Sequence, residues 1–298
     1  MTKMRIGAAG WSYEDWVGAF YPKRESKSFD WLSYYSQYLD TAEVNASYYA
    51  YLSPKVAEGW LRKTEGIDEF RFTAKLHQDF THRRRYGREE IEKTRAVFDV
   101  LRDGGKFGGA LAQFPYSFAF DEAASAHVRR LAEDFENIPL FVEPRHASWR
   151  RDEARELVRG LGAPPCAADQ PALGEAIPFA PEAVGGKLYV RLHGRNRAAW
   201  GRSVADLAAR RRGEKPTSDR DPNERYDYLY SPGELGEIAE EIKSALDGVK
   251  TAYVIFNNHP GGQALANAFE MIALLEDRAR VDMPETIKHR FERLRKIA

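Results

Sequence analysis

Eight short apolar runs alternate with longer amphipathic stretches, and this rhythm constrains the fold more than any other feature of the chain. The runs are RIGAA (5–9), TAEVN (41–45), FRFTAK (70–75), ALAQF (110–114), PLFVE (139–143), PPCAAD (164–169), KLYVRLH (187–193) and TAYVIFN (251–257). Helical spacing fills 30–39, 53–63, 88–102, 121–135, 151–161, 231–246 and 261–278. Ser53-Pro54, Asp121 and Ser231-Pro232 stand where helices start. Only the connection from the sixth run to the seventh lacks a helix pattern. Strands that alternate with helices build a parallel sheet under covering helices. Eight repeats in 298 residues match the size of a closed barrel. The competing doubly wound sheet calls for a glycine-rich turn after its first strand; here that turn reads AAGWSYEDW, with one glycine. The expected fold is therefore α/β, a single (β/α)8 TIM-like barrel spanning 1–298. A polar, basic insertion without a core-forming pattern is expected at about 195–226, and a C-terminal helical extension at about 284–297.

A hydrophobic content of 43% supplies the core such a barrel needs. The formal net charge is +0, so no global field selects a polyanion or a membrane, and any electrostatic partner must answer to local clusters. The single cysteine, Cys166, rules out an internal disulfide and fits a reducing compartment. No apolar run approaches the roughly 20 residues of a membrane helix. The opening MTKMRIGAAG is too soon interrupted for a secretory leader. The expectation is a cytoplasmic protein with no membrane partner; composition leaves the oligomeric state open.

The run LYVRLHGR (188–195) carries the functional argument. Leu188, Val190 and Leu192 form one apolar face, and Tyr189, Arg191 and His193 form the other. Barrel strands pack their apolar face under helices and turn alternate residues inward. The same phasing sends Glu43 and Asn45, Lys75, Gln113, Glu143, Asp169 and Asn257 inward, so seven of the eight strands end their inner row on a polar side chain. That end is the C-terminal mouth, where enzymes of this fold hold their chemistry. One reading is a self-neutralising network, with Glu43, Glu143 and Asp169 balancing Lys75, Arg191 and the nearby Arg145. The favoured reading is a ligand site, because buried charges cost stability and call for a use.

Several chemistries can be weighed on residue types alone. Glu43 and Glu143 are a carboxylate pair of the kind glycoside hydrolysis requires, but strands four and seven, where barrel glycosidases commonly keep theirs, carry Gln113 and His193. No G-x-S-x-G occurs, and Cys166 is assigned to the outward phase as a core residue. A metal at Glu143, Asp169 and His193, with Glu43 alongside, is conceivable from the ligand types but disfavoured by the cations beside it. No nucleotide-cofactor motif is present; GGKFGG (104–109) precedes a strand, where a phosphate loop would follow one. An anionic, possibly phosphorylated, small substrate has better support. Lys75, Arg145 and Arg191 converge on the mouth, and two loops there are basic, 77–88 and 195–226. Aromatic residues of the first two βα loops, Trp11, Trp16, Phe20, Tyr21, Tyr48, Tyr49 and Tyr51, can stack on a base or sugar or join the core. The expected function is acid/base chemistry of hydrolase or lyase type. Glu143, His193, Glu43 and Asp169 are its candidate catalytic residues; Lys75, Arg191, Arg145, Asn45, Gln113, Asn257 and Trp11 would bind substrate. The alternative is a module that binds nucleic acid or another polyanion through the two basic loops.

Several stretches, in order along the whole chain, resemble the YecE-like family, also called domain of unknown function 72. They are IGAAGWSYEDWVGAFYP, WLSYYSQYLDTAEVNASYY, FTAKLHQDFTH, ALAQFPYSF, VEPRHASW, YVRLHGR, YDYLYSPGEL and FNNHPGGQALANA. The resemblance implies a TIM-like barrel and no particular activity. It implies motif residues at Trp11, Glu43, Asn45, Lys75, Gln113, Glu143, Arg145, His146, Arg191, His193 and Asn257.

Overall fold

The structure is a computed structural model that describes residues 2–23, 29–211, 213 and 221–298. Its eight strands are β1 (Lys3–Ala9), β2 (Thr41–Val44), β3 (Arg71–Lys75), β4 (Phe107–Gln113), β5 (Leu140–Glu143), β6 (Cys166–Asp169), β7 (Lys187–Leu192) and β8 (Thr251–Phe256). All neighbours pair in parallel, in the order β5-β4-β3-β2-β1-β8-β7-β6. The two ends of that row meet where Val142 N donates to Pro164 O at 3.0 Å. The result is the nearly closed (β/α)8 barrel that the alternation predicts.

The helices are α1 (Trp31–Tyr35), α2 (Ala46–Tyr49), α3 (Pro54–Lys63), α4 (Arg88–Asp103), α5 (Glu122–Asp134), α6 (Asp152–Gly160), α7 (Arg197–Arg211), α8 (Pro232–Ser244), α9 (Gln263–Leu275) and α10 (Glu285–Arg290). Asp121 accepts from Ala124 N at 2.7 Å, and Ser231 and Glu234 form a reciprocal capping box, so two of the expected starts are genuine caps. Ser53 makes no side-chain cap; Pro54 alone sets that start. No helix covers the connection from β6 to β7, as the sequence indicates.

Two expectations need correction. The insertion after β7 was expected to lack a core pattern, yet residues 197–211 form α7, and Ala199 and Ala209 on it are buried. Alanines bury little area, so the helix leaves almost no hydrophobic period in the sequence. Residues 212 and 214–220 of that insertion lie outside the described part.

The second correction concerns the phase of β6. The outer core holds Ala167, while Cys166 belongs to the inner cluster with Ala9, Leu111, Phe141, Tyr189, Tyr253 and Ile255. Cys166 therefore points inward, and Asp169 points out of the barrel. The run CAAD is uniformly small or polar, so neither face was marked by hydrophobicity. Elsewhere the phasing holds: Leu188, Val190 and Leu192 pack outward and Tyr189 inward. Close strand approach also depends on Gly7, where a Cβ would lie 1.8 Å from the Thr41 carbonyl oxygen. No described helix is long and apolar enough to cross a membrane.

Candidate active site

Residues two apart on β7 climb the barrel axis. Tyr189 sits in the inner hydrophobic layer, Arg191 above it and His193 at the mouth. Arg191 is 2% exposed and bridges two carboxylates that are wholly buried. Its Nη2 lies 2.7 Å from Glu43 Oε1 of β2, and its Nη1 lies 2.7 Å from Glu143 Oε2 of β5. Tyr189 donates its hydroxyl proton to Glu43 Oε2 at 2.9 Å and sits 2.8 Å from the Thr73 hydroxyl. Arg145, just past β5, pairs with Glu143 and reaches Gln170. Despite the cost of burying Glu143, the guanidiniums of Arg145 and Arg191 hold its carboxyl well below the usual range.

Above this layer opens a cavity of about 490 Å³, lined by Asn45, Lys75, Gln113, Arg145, Arg191, His193 and Asn257 among others. Lys75, last on β3, donates from Nζ to Gln113 Oε1 at 2.9 Å and lies 4.3 Å from the Tyr48 ring centre. Among the described residues it forms no ion pair, because the acids beneath it are taken by the two arginines. Burial, then repulsion from Arg191, lowers its pKa to about 7 against the pull of Glu43 and Glu143.

His193 faces guanidinium donors with Nε2, 3.0 Å from Arg145 Nη2 and 3.4 Å from Arg191 Nη1. Guanidiniums only donate, so Nε2 accepts and the ring is neutral. Burial and the two arginines push its pKa well below the ordinary value. On the other side of the ring, Nδ1 lies 2.9 Å from the side-chain nitrogen Nδ2 of Asn257. Gly194, with φ of +88°, turns the chain immediately afterwards.

Seven of the eleven expected site residues line the cavity together. Glu43 and Glu143 lie directly beneath as counter-ions to Arg191. Asp169 and Trp11 are elsewhere. Asp169 was expected in the mouth, but its outward carboxylate binds Arg195 Nη2 at 2.7 Å and accepts from the Tyr230 hydroxyl at 2.5 Å. Trp11 packs edge-on against Trp60 and Phe72, with ring centres 5.5 and 5.9 Å away. Trp16, Phe20 and Tyr21 are core residues too, so of the seven loop aromatics named from the sequence Tyr49 is the one that lines the cavity. His146 caps the turn after β5, accepting from Ser148 N at 3.2 Å.

Sequence reasoning missed Tyr13, Asp15, Asp221, Asn223, Tyr226, His259 and Pro260 on the cavity wall. His259, stacked on Tyr13 at 4.5 Å, was within reach: it lies two residues past Asn257, in the same inward phase. Asp221, Asn223 and Tyr226 come from the insertion and carry no periodic signal. The metal set disfavoured from the sequence, Glu143, Asp169 and His193 with Glu43 alongside, does not assemble, since Asp169 faces the other side of its strand. Among the described residues no three His, Cys, Asp or Glu side chains gather as ligands. Cys166 lies under Glu143, with Sγ 3.7 Å from Oε2, and burial there pushes its thiol pKa far up, which makes it a poor nucleophile.

Barrel and mouth together define a TIM-barrel protein with a charged, partly enclosed site at the C-terminal ends of its strands. Residues 5–290 match the family described as "Protein of unknown function DUF72", and the chain belongs to that family, as its motifs indicate. It is similar to the UPF0759 protein YunF of Bacillus subtilis (strain 168), at 27% identity over 285 residues, covering 91% of this chain and 94% of that protein. Among solved structures it is similar to a DUF72 family protein from Thermotoga maritima MSB8, with 31% identity and a TM-score of 0.78 over 92% of this chain and 99% of that one. A DUF72 family protein from Enterococcus faecalis V583, 22% identical, shares the fold with a TM-score of 0.75 over 92% of this chain and 95% of that one.

Proposed function

We propose that the protein is an acid/base enzyme acting on a small anionic molecule bound in the mouth of the barrel, with Lys75 as the proton-transferring group. The observation that carries this is that three cationic side chains, Lys75, Arg145 and Arg191, line one cavity. Among the described residues Lys75 has no carboxylate partner, and the Nε atoms of Arg145 and Arg191 are buried without an acceptor. An anionic ligand in the cavity would supply the counter-charge that Lys75 lacks. Lys75 is also the lining group whose pKa of about 7 suits proton transfer at neutral pH. His193 and Glu143, first choices from the sequence, take supporting parts: His193 as a neutral hydrogen-bonding wall, Glu143 as the counter-ion that fixes both arginines. Asn45, Gln113 and Asn257 would orient the substrate.

The polyanion-binding alternative draws less support. Arg83 is held by Asp79, Arg195 by Asp169 and Glu234, and Arg202 by Glu224, so several arginines of the two basic loops are engaged within the chain.

Titrating the protein with inorganic phosphate and small dicarboxylates while recording the melting temperature tests the reading. Ligand at about 100 times Kd stabilises the folded state by roughly 2.7 kcal/mol. Stabilisation that is lost in Lys75→Met and Arg145→Met is expected; no shift with any anion would sink it. Turnover of anionic substrates, once one is found, should rise with pH through about 7, as deprotonated Lys75 becomes available. The groups setting that limb are Glu43 from β2, Tyr48 from α2, Glu143 and Arg145 at the end of β5, Arg191 from β7 and His82 from the loop after β3.

A further inference from the structure

We propose that Lys75 forms an imine with the carbonyl carbon of its substrate, a small aldehyde, ketone or 2-oxo acid whose carboxylate or phosphate rests on Arg145 and Arg191. This rests on the anion-binding reading above; it names the substrate class and gives Lys75 the part of nucleophile in place of proton transfer.

Three features of the mouth point to an amine used as a nucleophile. The nearest acids are committed elsewhere: Glu43 to Arg191 and Tyr189, Glu143 to Arg191 and Arg145. A lysine kept as a fixed point charge would be expected to hold one of them. Lys75 instead faces Arg191 as a like charge, and its nitrogen, set over the Tyr48 ring, makes one hydrogen bond, to the neutral Gln113, which leaves the deprotonated amine a lone pair for attack. The cavity, at about 490 Å³, has room for a small molecule beside it. The other reactive groups are poorly suited. Cys166 is sealed below the site, His193 is occupied at both nitrogens, and Tyr13 donates its hydroxyl proton to Ala9 O at 2.6 Å.

In the step itself the Nζ lone pair forms a C–N bond while the carbonyl π pair moves onto oxygen. That oxygen takes up the proton which nitrogen sheds, giving a carbinolamine. A second proton, delivered by water from the open mouth, lets the oxygen leave as water and yields the protonated imine. The adduct's positive charge lies above Glu43 and Glu143, and the substrate's anionic group answers the two guanidiniums.

The test is reductive trapping on the full chain near pH 7. Pyruvate and dihydroxyacetone phosphate are offered separately with sodium cyanoborohydride, and modified lysines are mapped by mass spectrometry. Exposed Lys55 serves as the internal control. The expected result is labelling of Lys75 at least about tenfold above Lys55 with one of the probes, suppressed by inorganic phosphate. Lys75→Arg, which keeps the cation without the nucleophile, should lose the label while phosphate still raises its melting temperature. Phosphate stabilisation of the wild type with Lys75 labelled no more than Lys55 would overturn the imine and leave the anion site standing. Absence of both effects would overturn both.

Discussion

At the residue scale, Arg191 and Lys75 make opposite demands on stability. Arg191 neutralises two carboxylates with no exposure of their own, so Arg191→Met should cost about 3–5 kcal/mol, because Glu43 loses its only cation among the described residues and keeps just the Tyr189 hydroxyl while buried Glu143 is left to Arg145 alone. Adding Glu43→Gln and Glu143→Gln should recover part of that loss; denaturant unfolding of the single and triple mutants measures it. A single mutant within about 1 kcal/mol of wild type would contradict the bridging role. Lys75 should show the reverse. Its folded pKa of about 7 lies below the ordinary 10.5, so between those pH values the unfolded chain binds the extra proton and stability rises with pH. Below pH 7 the folded chain carries the full cost of a poorly compensated ammonium. Lys75→Met should therefore melt a few degrees higher than wild type at pH 6, and the gap should close towards pH 10. A gap that stays constant across that range would contradict it. The inward phase of Lys75, Arg191 and His193 was legible in the sequence because apolar neighbours marked the other face. What was illegible was the pairing. That Glu143 is a counter-ion and Lys75 is left without one depends on which guanidinium reaches which acid across the barrel, and alternation carries no such information.

At the element scale, the strands were legible wherever Val, Leu, Ile or Phe marked one face, and β6 was not, because CAAD offers none. The slip moved Asp169 from the outer side of the wall into the mouth. In its actual place Asp169 ties β6 to the residues after β7 through Arg195 and to the start of α8 through Tyr230, whose hydroxyl also accepts from Gly194 N at 2.8 Å. This clamp anchors the base of the insertion that carries α7 and the cavity residues Asp221, Asn223 and Tyr226. Asp169→Asn should cost about 2–3 kcal/mol, since a charge-assisted pair is replaced by weaker bonds. Its amide exchange should quicken first in α7 and at the start of α8. If the mutant melts like wild type yet loses anion binding, Asp169 belongs to the site after all. Helix α7 escaped detection for a related reason: a helix that buries alanines leaves a flat hydrophobic profile.

At the scale of the whole molecule, the barrel was legible because eight repeats of one pattern admit few closures, whereas the mouth is assembled from loops whose approach no local pattern encodes. His259 and Tyr13 meet there from opposite ends of the chain. Among the described residues this assembly holds the Lys75 amine without a counter-ion, and on the proposed reading a bound anion supplies one. The most direct measurement is a heteronuclear NMR titration of the Lys75 Nζ group, with and without inorganic phosphate. Without phosphate, the expected midpoint is about 7; with phosphate it should move upward, because a bound anion favours the charged form. A midpoint near the ordinary lysine value of about 10.4, unmoved by phosphate, would contradict the account.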